Sequence, residues 1–407
     1  MKRSVAVATA ALFLVAFVSD APAGAYLMDT TIPQAGGCPA FDLWNLSAAS
    51  PLNRQWSTSL PLSPATILTA AAPGTSAQLA EIGQAISDSF GAWPGVTGTT
   101  FNTTNYPGLI APLAQVTDAN SCTNDQESNI DGLNTICFNQ SSMAFSSGVL
   151  AFTRVITANA PGASVGSSAP AAFAGQILDA DTLFLNNGQA TFATPAALST
   201  AKGQGAYDLE SLLAHEIGHW FGLDHSAVWR ALMFPFAPPP GTFLGNRPTA
   251  EAPDGPLSDD DRTAIRVLYP DPNDAIDIGE ISGHVLPANP FALAALPAPS
   301  AGASVTGIFG AHVVAVDEDT GSVIAGTLGG WSCTPPNPSL QFDGSFDIER
   351  LPIGHNYTIY AEPLVGLAVP GDFSDALNDL CSSSGASACT VPAVDTNFNP
   401  RVRPAVP

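Results

Sequence analysis

The alternation of apolar and polar positions divides the chain into an early mixed part and a later part of short strands. Between Ala77 and Trp93 the apolar residues Leu79, Ile82, Ala85, Ile86 and Phe90 recur at helical spacing. Pro73-Gly74-Thr75-Ser76 supplies a turn and an N-cap ahead of them. Runs at Ile136 to Phe138, Val149 to Ile156 and Gln176 to Leu185 predict strands. A second helix is predicted over Asp208 to Phe221, with acids in its first turn and Gly222 at its end. A third is predicted over Ser258 to Leu268, where Ser258 caps a start made of three aspartates. Residues 26–55 show no regular period and are expected to be irregular.

After Pro270-Asp271-Pro272-Asn273-Asp274, which reads as a linker, the helical period disappears. Gly283-His284-Val285, Ala311 to Val316, Ser322 to Gly326, Ser345 to Ile348 and Tyr357 to Ala361 are short β-type runs. Turn residues such as Asp319-Thr320-Gly321 and Pro352-Ile353-Gly354 separate some of them, as in a β-sandwich. Residues 287–303, rich in Ala and Pro, are expected to be a loop. The pattern predicts an α+β region over 56–270, a linker over 271–279 and an all-β domain over 280–407. On this division a chain ending near Asp274 is expected to fold and keep its chemistry.

The first 25 residues stand apart. Lys2 and Arg3, the apolar run Val5 to Val18 and Ala23-Gly24-Ala25 follow signal-peptide order, with the mature chain expected to begin at Tyr26. An uncleaved anchor is the alternative, although the run is short for a bilayer span. The expected location is therefore outside the cell, or the periplasm of a bacterium. Residues 26–55 would then be an N-terminal segment, with a short propeptide as one reading.

Charge narrows the partners. The chain has 12 Lys and Arg against 35 Asp and Glu. Such an acidic surface repels nucleic acid and anionic membranes, so neither is an expected partner. Oligomeric state is not written in these patterns. Six cysteines in an exported chain suggest disulfides, with the connectivity open. Cys122 with Cys137 and Cys381 with Cys389 are the favoured short loops, which leaves Cys38 with Cys333.

The segment that carries chemistry is His215-Glu216-Ile217-Gly218-His219-Trp220-Phe221-Gly222-Leu223-Asp224-His225. Helical residues four apart share a face, so His215 and His219 can present two imidazoles to one ion. Gly222 permits a left-handed turn that brings His225 back as a third ligand. Three imidazoles with an open position are the layout of catalytic zinc, and Glu216 is placed to act on a water there.

This eleven-residue motif resembles that of the metzincin metallopeptidases. Ala231-Leu232-Met233-Phe234-Pro235 resembles the Met-turn of the matrixin branch, with Met233 as an apolar floor. Leu257-Ser258-Asp259-Asp260-Asp261 through Leu268-Tyr269 is similar to the last matrixin catalytic helix, in which Asp260 would accept hydrogen bonds from the Met-turn backbone. Gly148-Val149-Leu150-Ala151 resembles the edge strand that binds extended substrate, which makes Leu150 and Ala151 substrate-binding candidates. Gly175 to Phe184, with Asp179 and Asp181, is similar to the strand that carries calcium ligands, against the plainer reading of strand-end aspartates. The resemblance thus implies a mixed twisted sheet with about three helices. It also implies one catalytic zinc, calcium as a further candidate cofactor, and a protein or peptide substrate. The wall of the primed-side pocket would be residues 234–256.

The chain also departs from that family. No histidine precedes His215, so the structural zinc site of matrixins is not expected. Position 235 is proline, where the astacin and serralysin branches carry tyrosine. Gly37-Cys38-Pro39 is faintly similar to the latency-switch motif but lacks its arginine, so a switch cysteine and a disulfide are alternatives for Cys38. The later part, through Ile281-Ser282-Gly283, Gly310-Ala311 to Asp317 and Gly344 to Tyr360, resembles carboxypeptidase regulatory-like domains of transthyretin topology. The expected activity is that of a secreted zinc endopeptidase, and the rival is a silent scaffold used for binding or adhesion.

Overall fold

The structure is a computed structural model. It describes residues 28–31, 33, 38–46, 54–57, 67–100, 114–116, 132–140, 148–166, 168–185, 190–200, 205–229, 231–241, 257–273, 278–289, 291, 304–333, 340–364, 373, 398–399 and 401–406. The predicted signal peptide, Cys122, Cys381, Cys389 and most of the 287–303 loop lie outside these residues, as do residues 242–256 of the expected pocket wall.

Two short strands, β1 (Thr30–Thr31) and β2 (Ala40–Phe41), pair antiparallel within the segment expected to be irregular. They are followed by β3 (Arg54–Ser57), β4 (Ile67–Leu68) and helix α1 (Ser76–Gly91). Thr75 caps α1 by accepting from the Gln78 backbone N–H, and Ile82, Ala85, Ile86 and Phe90 form its buried stripe. Next come β5 (Ala114–Val116), β6 (Asn134–Gln140), β7 (Ala151–Ala158) and β8 (Gln176–Leu185). Strands β3, β5, β6, β7 and β8 make one sheet in the order β5-β3-β6-β8-β7. It is parallel except for β7, which runs antiparallel to β8 along one edge.

Strand β9 (Phe192–Ala193), one turn of helix α2 (Pro195–Leu198) and β10 (Tyr207–Asp208) lead into α3 (Leu209–Trp220). Asp208 caps α3 by accepting from Glu210 N–H. Helix α3 packs between α1 and the sheet. Trp93 Nε1 donates to Ala214 O at 3.1 Å, and the rings of Phe90 and Trp220 meet edge to face. Helix α4 (Asp259–Leu268) begins with a reciprocal capping box between Ser258 and Asp261.

The later part holds β11 (Ile278–His284), β12 (His312–Asp317), β13 (Val323–Leu328), β14 (Ser345–Pro352), β15 (Tyr357–Glu362) and β16 (Arg401–Val406). They form a two-stranded sheet, β11-β14, and a four-stranded sheet, β13-β12-β15-β16. Strands β13 and β14 both pack on α4. As a result, Leu213, Ile217, Trp220 and Ile265 share one hydrophobic cluster with Val313, Ala325 and Ile348.

Cys38 and Cys333 are bonded across 295 residues of sequence. This settles the alternatives at Cys38: its sulfur is engaged in a disulfide, so the switch-cysteine reading is corrected. Cys137 is also disulfide-bonded.

Candidate metal centre

The central helix brings two of the three histidines together by its own periodicity. His215 and His219 lie one turn apart on α3, with ring centroids 5.0 Å apart. After Trp220 the chain leaves the helix, and Gly222 adopts φ +89°. A side chain at 222 would strike the Asp42 carbonyl oxygen, so glycine is required there both by backbone angle and by space. The turn sends His225 back to within 5.4 Å of His215 and 5.0 Å of His219 between ring centroids. One nitrogen from each of the three rings lies within 4.8 Å of the others.

The donor set fits a metal such as zinc. His215 Nδ1 is 2.7 Å from Leu232 O, and His219 Nδ1 is 2.7 Å from Leu223 O. A carbonyl only accepts, so each Nδ1 carries the proton and each Nε2 keeps its lone pair for a ligand. Burial, with His225 nearby, pushes His215 down to about 3, and burial likewise lowers His219 well below the ordinary histidine value. Both rings are therefore neutral at physiological pH, as metal ligation needs.

Glu216 is buried beside this cluster. Burial raises its carboxyl to about 8, and a hydrogen bond from Thr153 partly offsets the rise. Thr153 Oγ1 on β7 lies 2.8 Å from Glu216 Oε2. Behind it, Trp220 Nε1 donates to Thr182 Oγ1 at 2.9 Å, and the two threonine hydroxyls are 2.8 Å apart. One proton per group suffices for a chain of donors running Trp220, Thr182, Thr153, Glu216. The sequence reading missed Thr153 because no local pattern announces a contact between positions 153 and 216.

Met233 packs against α3 at Gly218. A Cβ at Gly218 would collide with its sulfur, so the helix and the methionine meet where a side chain would separate them. The expected partner of this turn needs correction. Asp261, not Asp260, accepts from the backbone N–H groups of Leu232, at 2.8 Å, and Met233, at 3.0 Å. Adjacent helical residues point about 100° apart, so one position of register decides which aspartate faces the turn. Asp260 instead accepts from Ser226 Oγ at 2.6 Å and from Gly326 N–H at 2.7 Å.

Leu150 precedes β7 and Ala151 begins it, both half-buried, on the edge strand of the sheet. Asp179 and Asp181 lie within β8, and Asp181 Oδ1 accepts from Thr135 N–H at 2.8 Å, a structural duty. Phe234 and Phe236 border the loop after the histidines, their rings 5.9 Å apart, with Phe236 exposed.

Residues 160–270 match the Matrixin family. The matched span contains all three histidines, Glu216, Met233 and Asp261. A stretch of 64 residues is also 42 % identical to metalloendoproteinase 1 of Glycine max. It covers 16 % of this chain and 17 % of the Glycine max protein, so the chain spans about a sixth of the length of that relative. Together these similarities support a matrixin-like metallopeptidase. The mixed sheet with few helices is compatible with a matrixin catalytic domain, and the three-histidine cluster is compatible with zinc.

Proposed function

We propose that this chain is an exported, zinc-dependent endopeptidase of matrixin type, with His215, His219 and His225 as the zinc ligands and Glu216 as the general base. The observation that carries this reading is three imidazoles converging beside the buried carboxyl group of Glu216. When bound, zinc supplies Lewis-acid polarisation of the scissile carbonyl and lowers the pKa of a coordinated water.

Glu216 takes the proton of the attacking water on a carboxylate oxygen and hands it to the nitrogen of the leaving amine. Thr153 holds that carboxylate from β7, which limits its rotation. Leu150 and Ala151 bind the substrate backbone as an added strand along the β7 edge. Phe234 and Phe236 begin the wall of the primed-side pocket. Strands β11 to β16 belong to a β-sandwich of carboxypeptidase regulatory-like type, with β13 and β14 packed on α4. Calcium at Asp179 and Asp181 is a separate element of the proposal, checked by thermal shift with and without added calcium.

The test is digestion of casein and of a peptide library by the purified mature chain. Cleavage is expected, with loss on chelation and recovery on zinc addition. A zinc-loaded, folded chain that cleaves no peptide bond in either substrate overturns the reading in favour of a silent binding scaffold.

A further inference from the structure

The third imidazole has no helix of its own. His225 stands on the irregular stretch between Gly222 and Met233, and bonds from distant segments oppose the conformational freedom of that loop. At its start, Asp29 N–H donates to Gly222 O at 2.9 Å, and Met28 bridges to Leu223. Past the histidine, the contacts converge on Ser226. Its N–H donates to Met233 O at 2.8 Å, and its Oγ accepts from Val228 N–H at 3.0 Å. The same Oγ donates to Asp260 Oδ2, while Asp260 Oδ1 accepts from Gly326 N–H on β13. Strand β13 comes this close because residue 326 has no side chain. A Cβ there would lie 2.5 Å from both Val228 Cγ2 and His312 Nε2. Ser226, Met233, Asp260, His312 and Gly326 line one small cavity, so the later sheet and the floor of the histidine cluster enclose the same space.

We infer that β13 belongs to the scaffold of the metal centre, and that Asp260 is a positioning residue that ties the Gly326 backbone to Ser226 and so sets His225. The inference rests on the reading of His225 as a zinc ligand. It gives the later sheets a task in the chemistry. A chain ending near Asp274 would lack the Gly326 N–H and strip β13 and β14 from α4, opening the tie between Asp260 and Ser226 to water. Such a chain should hold the metal less tightly, contrary to the independence expected from the linker.

The experiment uses the full-length protein loaded with zinc, and separately with cobalt(II). Wild type is compared with Asp260→Ala, Asp260→Asn and Gly326→Ala. The readouts are the rate of zinc release to a chelating dye and the visible absorption of the cobalt form, which reports ligand geometry. Asp260→Ala should release zinc roughly 10–100-fold faster, the range for residues that orient metal ligands, and should shift the cobalt spectrum. Asp260→Asn should restore both, since its Oδ1 can accept from Gly326 and its Nδ2 can donate to Ser226. Gly326→Ala should move both readouts in the same direction as Asp260→Ala, since its Cβ drives β13 away from Val228 and His312. If Asp260→Ala does not fold, Gly326→Ala decides. Folded variants that release zinc at the wild-type rate with an unchanged cobalt spectrum overturn the inference alone. A wild-type chain that binds neither metal overturns the functional reading and this inference with it.

Discussion

The two halves of the histidine cluster are built in opposite ways. His215, Glu216 and His219 sit on α3, where capping by Asp208 and the spacing of one turn set their positions along the backbone. His225 and Met233 sit on irregular chain whose shape is imposed from elsewhere, by Asp29 and Asp42 on one side and by Asp260, Asp261 and Gly326 on the other. A metal site can thus take its ligand pair from local periodicity. Its third ligand requires tertiary contacts, and that half is where damage far from the metal should be felt.

The largest effect should come from the helical half. Glu216→Ala is expected to lower peptide hydrolysis at least roughly 10²–10⁴-fold, the usual contribution of a positioned base, while zinc content stays at the wild-type level. His219→Ala should lose zinc and activity together. Kinetics paired with elemental analysis separate the two, and near-normal turnover in Glu216→Ala would sink the proposed mechanism.

The loop half is broken most sharply at Gly222. An alanine there costs about 1–2 kcal/mol for the left-handed backbone alone, and its Cβ must also displace the Asp42 carbonyl. Urea unfolding should show a lower midpoint, and zinc release should quicken. Wild-type values for both would mean that the N-terminal segment does not constrain the turn.

Asp261→Ala should be the next in size. It strips the acceptor from two buried N–H groups, at about 1–3 kcal/mol for each group left unsatisfied, and it undoes the capping box of α4. A ΔG of unfolding equal to wild type would contradict the placement of this aspartate under the Met-turn.

A subtler difference is expected in pH dependence. Burial first, then the neighbouring Asp261, pushes Asp260 up to about 7. A carboxyl held neutral in the fold stabilises fully below its unfolded value of about 3.9, and that contribution is lost as pH rises toward 7. Wild type should therefore lose stability across that window relative to Asp260→Asn, as read by denaturant titration at several pH values. Parallel curves would show that Asp260 titrates normally. The smallest effect belongs to Thr153→Val, which removes one hydrogen bond to Glu216. It should lower kcat by up to about tenfold, given the 0.5–1.5 kcal/mol of such a bond, and leave KM close to wild type. An unchanged kcat would remove Thr153 from the site.

Much of the fold could be read from short-range pattern. The stripe of Ile82, Ile86 and Phe90, the cap at Thr75 and the cap at Ser258 all act within a few residues, and the three expected helices appeared where their spacing placed them, while the single turn of α2 was not foreseen. Strand β8 kept its expected bounds, whereas β7 is shifted by two residues, from Ala151 to Ala158 instead of Val149 to Ile156, because its register with β8 and not its apolar run sets its ends. Strands of two to four residues, such as β1, β2 and β4, left no pattern to read. They exist because a partner strand satisfies their backbone groups, and two residues cannot display a period.

The sequence by itself determined the histidine pair of α3, the neighbouring glutamate and the need for glycine at 222, since helical rise and backbone sterics act between residues that are close in the chain. It also carried the acidic start of α4, without its register. Only the tertiary structure decided that Asp261 supports Met233 while Asp260 turns to β13, that Thr153 holds Glu216, and that Cys38 bonds Cys333. Those assignments depend on which surfaces meet after the chain has folded back across tens to hundreds of residues. Hydrogen bonds of about 3 Å between such distant positions leave no spacing in the sequence from which they can be read.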